Sequence, residues 1–434
     1  MLKTRRILLG ISRSYTAKTK RSVLAQDKSK IKEYSPKTTD SHEHRVYVWG
    51  FQETGALGLQ TNVKKAKERY TEMVHHPTRL QFSNNNEITD VAAGYGFTVY
   101  AVNRDDGETL FGSGLNTDSQ LGFQVKGNPN DPANLDVIIY PTAIKLPRVQ
   151  GETDEDMRVK SMSAGRAHLV VLTQNGTIFT LGNNSYGQCG RSIIEEERYS
   201  KSALIHRISQ EDICGKEDEV VQVECGQDHS MFLTKKGRIY TCGWGADGQT
   251  GQGNYHTAGQ ITLIGGDVEK EKIVRLSCSS DCVLALNEAG DAFGWGNSEY
   301  GQLDDSELAE TQINIPRALK LTKSIGKIKD VAAGGSFCMA LNDQGLVYTW
   351  GFGILGFGPF QRNNSGFPSG CGVFHMGAVN SDGDLFMWGK NRFGHLGLGH
   401  KKDQFFPFKA AINGKVTKVA YGVDHTIALC KTFF

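Results

Sequence analysis

The chain has 434 residues, 38% of them hydrophobic and 22% charged, a composition that allows a large hydrophobic core. Its longest apolar candidate, ILLGI at 7–11, falls far short of the roughly 18–20 residues that a membrane-spanning helix needs. The formal charge of +2 hides an asymmetry: residues 1–40 hold 11 of the 49 bases and 3 of the 47 acids, leaving the remainder 38 bases and 44 acids, a net of −6.

The first element is that basic tail. MLKTRRILLGISRSYTAKTKR carries no acid, contains Ser and Thr, and intersperses Leu2, Ile7, Leu8 and Ile11 among its bases. Such a segment predicts a mitochondrial presequence over 1–21, and Arg13-Ser14-Tyr15 fits processing after Tyr15. A basic arm that binds nucleic acid is the competing reading. Residues 22–43, polar and charged, read as a flexible lead-in.

From residue 44 onward two motifs alternate. The first reads small-small-Gly-x-x-His-x-x-x-apolar, in seven copies from AAGYGFTVYAV (92–102) to AYGVDHTIALC (420–430). The second reads apolar-aromatic-x-Trp-Gly with further glycines, in seven copies from VYVWGFQETGALG (46–58) to LFMWGKNRFGHLG (385–397). Its anchors are Gly50, Gly114, Gly182, Gly243, Gly296, Gly351 and Gly389. In five consecutive repeats the two anchors lie 17 residues apart, with a turn glycine 11 residues after the first. That spacing is a β-hairpin: an outgoing strand, a tight turn with glycine at positive φ, and a returning strand.

A small sheet repeated seven times predicts an all-β, seven-bladed β-propeller over 44–434. The ends are incomplete in complementary ways. HTIALC near the C-terminus has no returning strand after it, and RVYVWG at 45–50 has no outgoing strand before it. Pairing the two would close the ring and leave no exposed edge.

These repeats resemble the regulator-of-chromosome-condensation (RCC-type) repeat family over about residues 44–434. A WD-type propeller would repeat at about 40–45 residues with Trp-Asp marks, whereas Trp is followed here by Gly at 49, 295, 350 and 388. There are departures. The penultimate repeat has only 38 residues between anchors and lacks the Gly-Gln-Leu-Gly ending, and one first-motif copy has Ser279 for the glycine and Cys282 for the histidine. No stretch matches the founding member's GTPase-engaging wedge.

Catalytic chemistry is not indicated. The motif histidines His168, His229, His375 and His425 share their position with Phe97, Cys282 and Phe337, a substitution that packing tolerates and metal ligation does not. Gly243-Trp-Gly245-Ala-Asp-Gly248 spells a dinucleotide fingerprint without the helix that it requires. A Walker motif, a Ser/His/Asp set and paired catalytic carboxylates are all missing, so no catalytic residue, cofactor or metal is expected. Nine cysteines without a C-x-x-C pair read as reduced, buried thiols.

Segments outside the repeats are the candidate contact surfaces. Residues 123–157 carry Glu152, Asp154, Glu155 and Asp156; residues 191–219 carry Glu195, Glu196, Glu197 and Arg198; residues 60–70 carry Lys64, Lys65, Lys67 and Arg69. Each can be a plain solvated loop. The resemblance, with the presequence, implies two roles and disfavours chromatin binding. One is guanine-nucleotide exchange, through protein contact, on a mitochondrial GTPase such as the dynamin-like GTPase of inner-membrane fusion. An acidic loop would then compete for the Mg²⁺ and phosphate environment, in peripheral association with the inner membrane. The other is assembly of the large mitochondrial ribosomal subunit, binding ribosomal RNA beside pseudouridine synthases, with the Lys/Arg cluster on RNA phosphates.

Overall fold

Each motif pair folds as the hairpin that its spacing dictates. A computed structural model describes residues 43–59, 72–104, 106–126, 133–303, 310–356 and 370–432, and the hairpins stand in it as seven radial sheets, the blades of a propeller. The predicted presequence and lead-in lie outside the described residues, apart from Glu43, as do Lys64, Lys65, Lys67 and Arg69.

The third blade shows the plan: Val220–Cys225 innermost, then His229–Thr234, Ile239–Gly243 and Ala258–Leu263, all antiparallel. His229–Thr234 is buried at every position because both of its faces pack on neighbouring blades. Five blades have four strands, and the two that contain Ile328–Ala333 and His375–Val379 have three among the described residues. The outermost strands come from stretches that read as loops in the sequence.

The ring closes as the incomplete ends require. The seventh blade orders Met73–Arg79, His44–Phe51, His425–Lys431 and Lys415–Tyr421, with register running from His44 opposite Lys431 to Gly50 opposite His425. Trp49 is fully buried there, and its Nε1 donates to His395 O at 2.7 Å in the preceding blade. Trp295 and Trp350 make the same bond to Gln249 O (3.0 Å) and Gln302 O (2.7 Å). Trp388 faces Gly356 of the shortened repeat, and its Nε1 has no partner among the described residues.

The motif histidines are latches between blades. His168 Nε2 lies 3.0 Å from Ser230 Oγ, His375 Nε2 lies 2.9 Å from Thr426 Oγ1, and His425 Nε2 lies 3.0 Å from Thr98 Oγ1, each partner belonging to the next blade. The ring also explains the motif glycine. A Cβ on Gly165 would stand 2.2 Å from His168 Cε1, and one on Gly94 would stand 2.1 Å from the Phe97 ring. Where the ring is replaced by the smaller Cys282, a side chain fits at 279. Ser279 Oγ then donates to Ala333 O (2.8 Å) and Cys371 O (2.7 Å). The two departures in that repeat are one compensated change.

A specific result follows. Gly165→Ser should destabilise the fold by about 1–3 kcal/mol through overpacking against His168. Gly165→Ser with His168→Cys should cost less than the sum of the single changes, with a coupling of about 1 kcal/mol or more in a double-mutant cycle of denaturant melts. Strict additivity would mean that ring and glycine do not compete for one space.

Candidate partner-binding face

The register sorts the loops onto two faces. In every blade the second-motif glycine pairs with the first residue of the outgoing strand, as in His168–Gly182, His229–Gly243, Phe337–Gly351 and His375–Gly389. All seven glycine turns therefore share one face, and the hairpin turns share the other. The glycines have a steric reason: Gly243 has φ +112°, and a Cβ there would stand 2.6 Å from both Asp228 O and His229 Cα. The Gly243–Gly248 stretch is such a turn, packed on Asn314 with no following helix, and offers no dinucleotide cradle.

On the hairpin face, the acids of 149–158 are wired into the fold. Glu152 accepts from Val149 N (2.9 Å), Asn175 Nδ2 (2.9 Å) and Arg207 NH1 (3.1 Å), and these donors, with Arg207 foremost, hold its pKa down to about 2. Asp154 pairs with Arg148 at 2.6 Å, Glu155 pairs with Arg158, and Asp156 accepts from Thr153 N (2.8 Å) and Thr153 Oγ1 (2.7 Å). None of these four carboxylates is without an internal partner.

The 191–201 loop leaves the glycine-turn face beside the third blade. Its base is clamped by Arg191–Glu197 at 2.6 Å, with both side chains only 12% exposed. Asn184 Nδ2 holds Arg191 O (3.2 Å) and Ser192 O (3.3 Å), and Ser119 Oγ donates to Tyr199 O (2.7 Å). Between these anchors Ile193 (45%) and Ile194 (57%) stand exposed beside Glu195 and Glu196. Glu196 has φ +59°, uncommon for a residue with a side chain. Of the predicted acidic group, Glu195 and Glu196 make no ion pair with a described residue, Arg198 is exposed, and Glu197 belongs to the clamp.

The same face carries aromatic residues that the motif reading passed over. The residue four past one anchor glycine meets the residue one past the next: Tyr186 with Trp244, Tyr300 with Phe352, and Phe393 with Phe51, at centroid distances of 4.6, 4.9 and 5.2 Å. The signal was present at fixed offsets from the glycines. Only the register brings the positions together across blades.

On the axis, the innermost strands enclose a cavity of about 250 Å³. They are stitched to each other by side chains: Ser163 Oγ accepts Cys225 N (2.9 Å), Gln222 exchanges two bonds with the Leu276 backbone, and Ser277 Oγ accepts Ala333 N (3.1 Å). Glu224 faces the cavity, and burial raises its pKa. Asp90–Lys418 and Arg275–Asp330 (3.2 Å) pair across neighbouring blades. Among the described residues no group of three or more His, Cys, Asp or Glu is placed to hold a metal ion. All nine cysteines are unpaired and buried.

The Regulator of chromosome condensation (RCC1) repeat matches residues 43–101, 175–233, 289–341 and 382–429, and a second form of the repeat matches 159–188 and 220–249. The chain is 40% identical to the human RCC1-like G exchanging factor-like protein over 417 residues, 90% of this chain and 87% of that one. The crystal structure of human WBSCR16 superposes with a TM-score of 0.80 at 39% identity, covering 90% of this chain and all of that one. Prp20p of Saccharomyces cerevisiae, whose structure was described with its binding to Gsp1p and histones, has a TM-score of 0.51 at 14% identity over 91% of this chain and 93% of its own, a likeness of fold alone.

Proposed function

This chain belongs to the regulator of chromosome condensation (RCC1) repeat family, and from that membership we propose that it is a non-catalytic scaffold promoting guanine-nucleotide exchange on a mitochondrial GTPase. The observation that carries the reading is the clamped 191–201 tip. It presents two exposed isoleucines and two unpaired carboxylates on a base held by buried polar contacts. Ile193 and Ile194 supply apolar area for a protein partner. Glu195 and Glu196 supply negative charge that can compete with nucleotide phosphates for the GTPase's Mg²⁺ and lysine. A scaffold accelerates GDP release only to the extent that it binds the nucleotide-free state more tightly than the loaded one. No covalent step is involved. The basic, acid-free N-terminus supports a mitochondrial address, with the dynamin-like GTPase of inner-membrane fusion as the first partner to try and peripheral association with that membrane.

The test is release of fluorescent GDP from purified mitochondrial GTPases. The wild-type chain should speed release, and Ile194→Asp with Glu195→Lys and Glu196→Lys should lower that stimulation at least about tenfold, the equivalent of one lost hot spot. These residues are exposed, so melting should not change. Unaltered release with the wild-type chain, across the GTPases tried, would sink the reading.

A second reading is favoured by a separate observation, the aromatic residues and cations of the glycine-turn face. Here the propeller would be a subunit of a matrix assembly that binds large-subunit ribosomal RNA alongside pseudouridine synthases.

A further inference from the structure

We propose that the arc of the glycine-turn face from Tyr300 to Phe51 is a stacking platform for single-stranded RNA; this rests on the second reading above and names its site. The arc crosses four consecutive blades. Tyr300 and Phe352 stack across one seam with their planes only 13° apart, and both are exposed, at 46% and 60%. Phe374, 47% exposed, precedes the latch histidine of the next blade, and Lys390 Nζ stands over its ring at 5.6 Å from the centroid. Phe393 meets Phe51 across the last seam, and the Arg392 guanidinium stands over Phe393 at 5.0 Å.

Aromatic residues and cations alternate along this arc in the pattern that single strands require. Bases stack on rings whatever their identity, and guanidinium or ammonium groups beside the rings meet the phosphates. Lys401 and Lys402 extend the cationic side: their turn is tied to the seam by Gly399 N donating to His75 O at 2.8 Å, and His75 packs against Gly394 beside Phe393. The nearby acids are fewer or already engaged. Glu53 and Glu299 are exposed, while Asp403 accepts from Asn391 N at 2.8 Å. Because the body of the chain is net negative, affinity for a polyanion must come from such a local patch.

A protein partner fits the arc less well. Hot spots at protein interfaces cluster in packed, desolvated pockets. These rings stand on separate blades, with Ser336, Lys390 and Arg392 between them. The clustered isoleucines lie elsewhere, on the 191–201 tip. A duplex fits no better, since its bases are stacked on one another already.

The experiment is fluorescence anisotropy of the full chain with a labelled oligouridine of about 12 nucleotides, within the length range of such sites. The wild-type chain should bind the single strand in preference to a duplex of the same length. Phe352→Ala with Phe374→Ala should weaken binding about tenfold or more, and Phe352→Trp should keep it. Lys390→Glu with Arg392→Glu should lower the slope of log affinity against log salt by about 1. Phe406→Ala, at an equally exposed phenylalanine on the outer strand Gln404–Lys409, should change nothing. If the wild type binds but the arc variants bind equally well, RNA contact stands and this site is overturned. If the wild type binds no RNA, the ribosomal reading falls with it. If the arc variants leave RNA binding intact and abolish GDP release, the arc is a protein contact.

Discussion

A chain lacking residues 44–51 is expected to lose its cooperative thermal transition, not merely to melt a few degrees lower. That strand is the only link between the outermost strand Met73–Arg79 and the C-terminal strand His425–Lys431 within the seventh blade. Its removal exposes Val46, Tyr47, Val48 and Trp49 partners that pack from both the seventh blade and its neighbours. At about 1.5–3 kcal/mol for each large buried side chain, the loss is about 6–12 kcal/mol, comparable with the whole stability of a domain. It also leaves the unpaired edge of a buried strand open to aggregation.

A truncated protein that fails to fold would be ambiguous, so a circular permutant supplies the second arm. His44 is opposite Lys431 in the ladder, which means that a short linker between them would make the two central strands of the seventh blade a continuous hairpin. Opened instead in the exposed 191–205 region, such a chain should melt cooperatively near the wild-type temperature, since contacts in a ring do not depend on where the chain begins. Cooperative melting of the truncated chain would refute closure as the source of stability. Failure of the permutant alone would place the cause in folding order instead.

The sequence carried the architecture because its repeating marks have steric causes. A glycine under a histidine or phenylalanine ring, and a glycine at positive φ after the Trp strand, admit few substitutes, so they persist while neighbours vary. Closure was legible from the two unmatched half-hairpins. The outermost strands were not: Ala258–Leu263 has no buried position, so no hydrophobic alternation announces it. Ser279 and Cys282 were visible as two irregularities, and their compensation required knowing that the ring covers the glycine. The candidate site was less legible still. Glu152 looked like part of a surface charge run, but its partner Arg207 comes from the other side of a hairpin, and nothing local marks that pairing. Glu195 and Glu196 belong to a similar run and remain free because Arg191 engages Glu197 instead. The arc depends on residues one and four past glycines in different repeats, a coincidence of register and not of sequence proximity.

Acidification from pH 7 to pH 5 is expected to remove much of the fold's stability. Burial lowers the pKa of His168 to about 4, His229 to about 3 and His395 to about 4, and drives His375 well below its ordinary value. In the unfolded chain these imidazoles titrate near 6.5. Between that value and the folded ones, the unfolded state binds protons that the folded state refuses, so stability is complete above about pH 6.5 and falls as pH drops toward about 4. At pH 5 each of His168, His229 and His395 contributes a loss of about 2 kcal/mol relative to pH 7. Asp281 acts the other way. Burial raises it to about 6, so its cost is present at pH 7 and is relieved by about 1 kcal/mol at pH 5. Glu152, held down to about 2, stabilises the fold fully until pH falls through the ordinary carboxylate range and does not contribute in this window. The net loss, about 5 kcal/mol, approaches the total stability of a typical domain. Thermal melts at the two pH values measure it, and His168→Gln should flatten the slope, because the amide can still reach Ser230 but takes up no proton. Equal melting temperatures at pH 5 and 7 would mean that the latches open to solvent and titrate freely, in which case the blades are not held together by neutral imidazoles.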